Sequence, residues 1–345
     1  MRIGFFSDSY FPEIDGVAYT LKNWKERLEQ RGHEVFIVYP ESDNYDSERN
    51  EVPVKSISNP FYPGYEIPLP TGFDKFPDDL DVVHCHTPAF LGLAGKIYAE
   101  RKGIPSVYTH HTPLEEYFVQ VLKSEKLSSF LGGFYVSGEE WMLSKFDKLI
   151  SNTDEGRRNL EMDKLAAGVD LKFFKPVESI WEFDELVIGY SGRISNEKNI
   201  EEVLEMASEI DAKTIVVGEG PVKERLKNQA SEEVIFKDFL DREKLPSYYS
   251  MLDVFVTAST GDTLGLSSLE ANACGTPIVA PDLHPFDKTI EDGSNGYLYS
   301  KDDVNDFKRK VEKALEKDWS TRKKVEKYSL GKSIDKIEEI YKEVA

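Results

Sequence analysis

LVIGYSGRISNEKNIEEVLEMASEIDAKTIVVGEGP, residues 186–221, decides the fold. Leu186–Ser191 is a short apolar run of strand type, Ile200–Ile210 follows with helical spacing, and Lys213–Val217 is a second strand of the same kind. A strand, a helix and a strand in that order make a parallel pair joined by a crossover helix. Outward from this unit the rhythm continues. Strands are expected at Val234–Phe236, Val254–Thr257 and Pro277–Ala280, with helices at Pro221–Gln229 and Ser267–Ala273. The first half repeats the pattern, with strands at Arg2–Phe6, Glu34–Tyr39, Asp81–His86, Ser106–Thr109 and Lys148–Ser151. Its helices, Val17–Gln30 and Leu91–Arg101, each end just before a glycine, Gly32 and Gly103. Tyr45–Asp79, rich in Pro, Tyr and Gly, reads as a long surface excursion.

Two such series, parted by the strand-poor stretch Asp170–Glu185, imply an α/β protein of two Rossmann-like, doubly wound domains. The expected division is 1–169 and 170–329. The amphipathic helix 330–345, with Ile334, Ile337, Ile340 and Tyr341 on one side, is expected to join the first domain.

The chain has 345 residues, 40% of them hydrophobic and 31% charged, as in a globular protein. Its formal charge of −20 argues against a nucleic-acid partner, which calls for a basic surface. No apolar run reaches the ~20 residues of a spanning helix, and no leader of signal-peptide type opens the sequence. The cytoplasm is the expected address. Cys85 and Cys274, one in each half, read as buried free thiols.

In an open parallel sheet, ligands gather beyond the carboxyl ends of the strands, and four clusters stand there. Arg193 and Lys198, five residues apart on the turn after Leu186–Ser191, carry the charges to clamp a diphosphate. Gly218 and Gly220 follow Lys213–Val217 and suit either close approach to a ligand or a tight turn without one. Asp262, Gly265, Leu266 and Glu270 follow Val254–Thr257, where a helix start offers free N–H groups to a phosphate. Of the two carboxylates, one is placed to bond sugar hydroxyls and the other to reach a ribose. In the first half, Gly16 opens a helix after the first strand and is expected to meet the same diphosphate, and His110 and His111 follow the strand Ser106–Thr109; only one of these histidines is expected to face a ligand. A zinc site from His84, Cys85, His86, His110 and His111 is not expected, since the set lacks a carboxylate or Cys-x-x-Cys partner.

The pattern resembles the retaining family 4 glycosyltransferases of the two-domain GT-B fold, on "FFSDSYFPEIDGVA", "GRISNEKN", "GEGP", "STGDTLGLSSLEANACGTPIVA" and "IEDGSNGYLY". The resemblance implies that the two domains face each other across a cleft. It also implies that Arg193 and Lys198 bind the donor diphosphate and that Gly16 is the family's glycine after the first strand. Asp262 and Glu270 take the sugar and ribose sides of the family's Glu-x7-Glu pair, Asp262 standing where the family carries Glu, and His111 takes the place of its N-domain histidine. Within the family, "YTHHTPLEEY" and "STGDTLGL" are most similar to the diacylglycerol glucosyltransferases and related lipid enzymes.

The expected function is therefore retaining, metal-independent transfer of a hexose from a UDP- or GDP-sugar, with no cofactor beyond that substrate. The acceptor is a lipid such as diacylglycerol or a sugar. For a lipid acceptor, Glu115–Lys145, with Phe118, Val121, Leu122, Leu127, Phe130, Leu131 and Phe134, would be the side in peripheral contact with a membrane. A core helix pair is the plainer reading of that stretch. A transferase for soluble sugars or polysaccharides, a non-catalytic nucleotide-sugar-binding protein and a sugar-nucleotide epimerase are the other readings.

Overall fold

A computed structural model describes residues 1–13, 15–59, 66–69, 72–111, 136–152 and 159–345. The chain divides into two compact units, Met1–Ala167 with Leu330–Ala345, and Gly168–Ser329.

The first unit is built on seven strands: β1 (Arg2–Phe6), β2 (Glu34–Pro40), β3 (Glu51–Val54), β6 (Val82–Cys85), β7 (Ser106–His110), β8 (Lys148–Ser151) and β9 (Asp163–Lys164). β4 (Ser56–Ser58) and β5 (Glu66–Pro68) form a small antiparallel pair of their own. The sheet order is β3-β2-β1-β6-β7-β8-β9, and every neighbouring pair is parallel. Successive strand residues point to opposite faces, so Phe5 and Phe6 serve different cores. Phe5 packs with Leu21, Trp24 and Leu28 of helix α1 (Gly16–Gln30), and Phe6 with Leu91 and Tyr98 of helix α2 (Phe90–Lys102). β3 corrects the reading of Tyr45–Asp79 as surface throughout. Val52 and Val54 pair with Val38 and Pro40 at the sheet edge, where the missing N–H of Pro53 is tolerated.

The second unit holds β10 (Val187–Ser191), β11 (Lys213–Val217), β12 (Val234–Lys237), β13 (Val254–Val256), β14 (Ile278–Pro281) and β15 (Gly296–Tyr299). These six strands are parallel, in the order β12-β11-β10-β13-β14-β15. Its helices are α3 (Ile200–Ala207), α4 (Lys223–Lys227), α5 (Leu245–Ser250), α6 (Leu266–Ala273), α7 (Phe286–Thr289), α8 (Val304–Leu315) and α9 (Arg322–Val325). Val203 and Met206 of α3 share a core with Phe307 and Val311 of α8 and with Ile188, Val254 and Val279 of the sheet.

The chain then returns to the first unit as α10 (Leu330–Val344). Ile334, Ile337, Ile340 and Tyr341 lie in the core made by Ile3, Phe5, Val82, Val107 and Ile150. Arg31 pairs with Asp335 and Glu338, and Lys148 with Glu343. Among the described residues no helix is long and apolar enough to cross a membrane.

In each sheet the strand order reverses once, between β1 and β6 and between β10 and β13. At such a reversal the crossovers leave on opposite faces, and a crevice opens at the carboxyl ends.

Candidate active site

In the second unit, β10 and β13 deliver their following loops to this crevice. Lys198 comes from the first loop and Asp262 from the second, and Lys198 Nζ lies 2.9 Å from Asp262 Oδ1. The same ammonium reaches Ser259 Oγ at 3.4 Å, while Thr260 N donates to the carbonyl of Glu197 at 3.0 Å. Burial works to raise the Asp262 carboxyl, but the charge and hydrogen bond of Lys198 outweigh it and hold that group below the usual carboxylate range. Arg193 lies partly buried in the same loop as Lys198, its carbonyl accepting from Tyr190 Oη at 2.9 Å.

Gly265 has φ +67 and stands directly before α6, whose first turn has no side-chain cap. Leu266 is the first residue of that helix. The N–H groups of a helix's first turn and its dipole favour an anion. Glu270, further along α6, accepts from Tyr249 Oη at 3.1 Å, and Tyr249 Oη meets Ser191 Oγ at 2.8 Å. Burial pushes the Glu270 carboxyl up to about 7, with the charge of Arg242 and the Tyr249 hydrogen bond working the other way.

Backbone packing leaves no room for a side chain at Gly218 or Gly220. A Cβ on Gly218 would meet Gly192 O at 1.9 Å, and one on Gly220 would meet Ile194 O at 2.1 Å. Gly218 also has φ +147. With Ile194 N donating to Glu219 O at 2.8 Å, the loops after β10 and β11 lie backbone against backbone. The glycines thus hold the loop that carries Arg193 and Lys198.

In the first unit, Asp15 caps α1 by accepting from Ala18 N at 2.8 Å, and Ser9 Oγ donates to Asp15 at 2.5 Å. Gly16 follows as the first helical residue. His111 follows β7 and is 7% exposed. Its Nε2 lies 2.9 Å from His86 Nδ1, and its Nδ1 lies 2.6 Å from Asn152 Nδ2. Both ring nitrogens are therefore engaged within the protein. Burial, with the neighbouring His110 adding to it, lowers the His111 imidazole to about 3, so the ring is neutral. Among the described residues no group of three His, Cys, Asp or Glu side chains is placed to hold a metal.

The two loops of the second unit therefore bring Lys198 and Asp262 together. Tyr249 escaped sequence reasoning, because nothing near it in the chain marks it; its bonds to Ser191 and Glu270 come from elements distant in sequence. The residues Phe118 to Phe134 named for a membrane-facing side lie outside the described residues. Of that stretch's remainder, Leu143 is in the core, and Trp141 is 68% exposed with Lys145 Nζ 5.3 Å from its ring centre.

Residues 14–167 match Glycosyltransferase Family 4 and residues 174–331 match Glycosyl transferases group 1. Alpha-monoglucosyldiacylglycerol synthase of Acholeplasma laidlawii is 30% identical over 349 residues, covering 88% of this chain and 86% of the relative. The chain belongs to the family 4 glycosyltransferases. A GDP-mannose-dependent alpha-mannosyltransferase of Mycolicibacterium smegmatis is 25% identical to this glycosyltransferase, over 82% of it and 80% of the relative. Its fold is of the GT-B type. Anabaena HepE, solved with UDP-glucose, superposes with a TM-score of 0.73 at 15% identity, over 99% of this glycosyltransferase and 100% of the other chain.

Proposed function

We propose that this glycosyltransferase moves a hexose from a UDP- or GDP-sugar to a lipid acceptor, retaining the anomeric configuration and using no metal. The observation that carries the reading is the convergence of Lys198 and Asp262 on the crevice of the second unit, beside the uncapped start of α6. The donor diphosphate lies against Arg193, Lys198 and the first-turn N–H groups at Gly265–Leu266. Asp262 takes sugar hydroxyls and Glu270 takes the ribose. As the glycosidic bond breaks, negative charge grows on the leaving diphosphate, and these fixed donors stabilise it in place of a cation. The acceptor binds on the first unit, near the strand end at His111. The name of the Acholeplasma relative supports diacylglycerol as acceptor, and a lipid acceptor would bring the enzyme to a membrane surface as a peripheral protein.

The test is nucleotide release from a panel of UDP- and GDP-sugars, with diacylglycerol liposomes, phosphatidylinositol liposomes or simple sugars as acceptors. Lys198→Ala should lower turnover ~10²–10³-fold, the cost of one preorganised donor. Near-normal turnover in Lys198→Ala and Arg193→Ala removes the phosphate clamp. Release with simple sugars alone moves the acceptor to the soluble class. Donor binding without release in any pairing favours a nucleotide-sugar-binding protein.

A further inference from the structure

The order β12-β11-β10-β13 in the second sheet puts the ends of β11 and β12 on the far side of β10 from the loop that carries Asp262. Glu270 is tied to that side. Its partner Tyr249 reaches Ser191 at the end of β10, and the charge of Arg242, which follows β12, acts on its carboxyl. With the sugar at Asp262 and the ribose at Glu270, the base continues over the loops 218–221 and 238–242, which follow β11 and β12.

These two loops are fastened to each other. Gly218 N donates to Lys237 O at 3.2 Å, which extends the pairing of β11 with β12 by one rung. Beyond that rung the tie passes to a side chain. Lys223 Nζ donates to Glu219 Oε1 at 2.6 Å and to Asp238 Oδ1 at 2.7 Å, one partner from each loop.

Lys223 opens α4 and is 6% exposed, whereas both of its carboxylate partners are exposed. Burial works to lower the ammonium, but the bonds to Asp238 and Glu219 outweigh it and hold the group above its usual value. The same bond holds the Asp238 carboxyl below the usual carboxylate range. A buried ammonium stays charged only when it is paired, so the cation and the two loops depend on each other. Loop 218–221 has a second anchor, since Ile194 N donates to Glu219 O at 2.8 Å and Val222 N to Ile194 O at 3.4 Å. Loop 238–242 is therefore the one released when Lys223 is lost.

We infer that Lys223 is a positioning residue for the nucleoside end of the donor site, holding loop 238–242 against loop 218–221 at the width a base requires. The inference rests on the reading that places the donor diphosphate at Lys198 and the ribose at Glu270. Without the ammonium, Glu219 and Asp238 face each other with no cation between them, and their repulsion parts the loops. Arg193, Lys198 and the start of α6 follow β10 and β13 and keep their places, so the diphosphate contacts survive.

The experiment is calorimetric titration of the full chain with UDP, GDP and inorganic pyrophosphate. Lys223→Met should bind the preferred nucleotide about tenfold more weakly, the cost of a misplaced wall, while its affinity for pyrophosphate stays within about twofold of wild type. Lys223→Arg, which keeps a cation for both carboxylates, should recover most of the nucleotide affinity. In turnover the loss should fall on donor KM more than on kcat. Asp238→Asn, at an exposed position, serves if Lys223→Met does not fold, and should show the same pattern more weakly. Unchanged nucleotide affinity in these variants, or a loss of pyrophosphate by the same factor, overturns the inference; the second result makes Lys223 a residue of general stability. A wild type that binds neither nucleotide defeats the proposed function instead. Amide exchange then decides the tie itself, which predicts faster exchange at 238–242 than at 218–221 in Lys223→Met.

Discussion

Glu270 gives the most quantitative prediction. Its carboxyl is raised from an ordinary 4.5 to about 7 by burial, which means that the folded protein resists its ionisation. A group whose folded value is raised stabilises the fold while protonated, and that contribution is lost as pH rises through 7. At pH 8 the full cost of the charge is about 3 kcal/mol. One edge of Glu270 still meets solvent, and screening there brings the figure to about 1–2 kcal/mol. Glu270→Gln removes the charge and keeps an oxygen for the Tyr249 hydroxyl. The variant should therefore be more stable than wild type by about 1–2 kcal/mol at pH 8, and by only about a few tenths at pH 5. Amide exchange in α6 is the suitable assay, because one global transition does not describe a chain of two units. On the proposed function, the same variant should bind donor about 10–100-fold more weakly, having lost the charged acceptor proposed for the ribose. Equal protection of α6 in both proteins at pH 8, or a gain that does not shrink at pH 5, refutes the reasoning.

Lys198→Ala and Asp262→Ala should each destabilise the second unit, and the double variant should be less stable by less than their sum, with a coupling of about 1–3 kcal/mol; amide exchange in the second unit of the four proteins measures it. Gly220→Ala should cost about 2–4 kcal/mol and weaken donor binding together, since its methyl meets the backbone of the loop that holds Arg193 and Lys198; thermal melting and donor titration should move in step. Tyr249→Phe should raise donor KM several-fold with a smaller change in kcat, because it frees Glu270 without touching the residues proposed for the diphosphate.

Much of this was legible in the chain. The apolar runs at Leu186–Ser191 and Lys213–Val217 gave the parallel sheets, and the rule that ligands gather after strands led to Lys198 and Asp262. What sequence could not give was non-local. β3 was hidden because Pro53 interrupts a segment already rich in turn residues, and only its pairing with β2 makes it a strand. Gly218 and Gly220 suit in sequence either a ligand or a tight turn, and only the neighbouring loop shows why no side chain fits. Likewise, nothing in "THHT" marks that one histidine has both nitrogens spent, because its partners His86 and Asn152 arrive from two other strands.

The chain passes from the first unit to the second at Ala167 and back at Ser329, and the two passages are joined where Val169 N donates to Tyr328 O at 2.8 Å. The second unit is thus an insertion within the first, with its two ends fastened together. On the ribosome this sets an order of events. Residues 168–329 have every strand of their sheet in hand while the first unit still lacks α10, whose Ile334, Ile337 and Ile340 close its core. The part of the enzyme translated first is completed last, and for the time it takes to translate the intervening residues its N-terminal sheet has an apolar face open to chaperones.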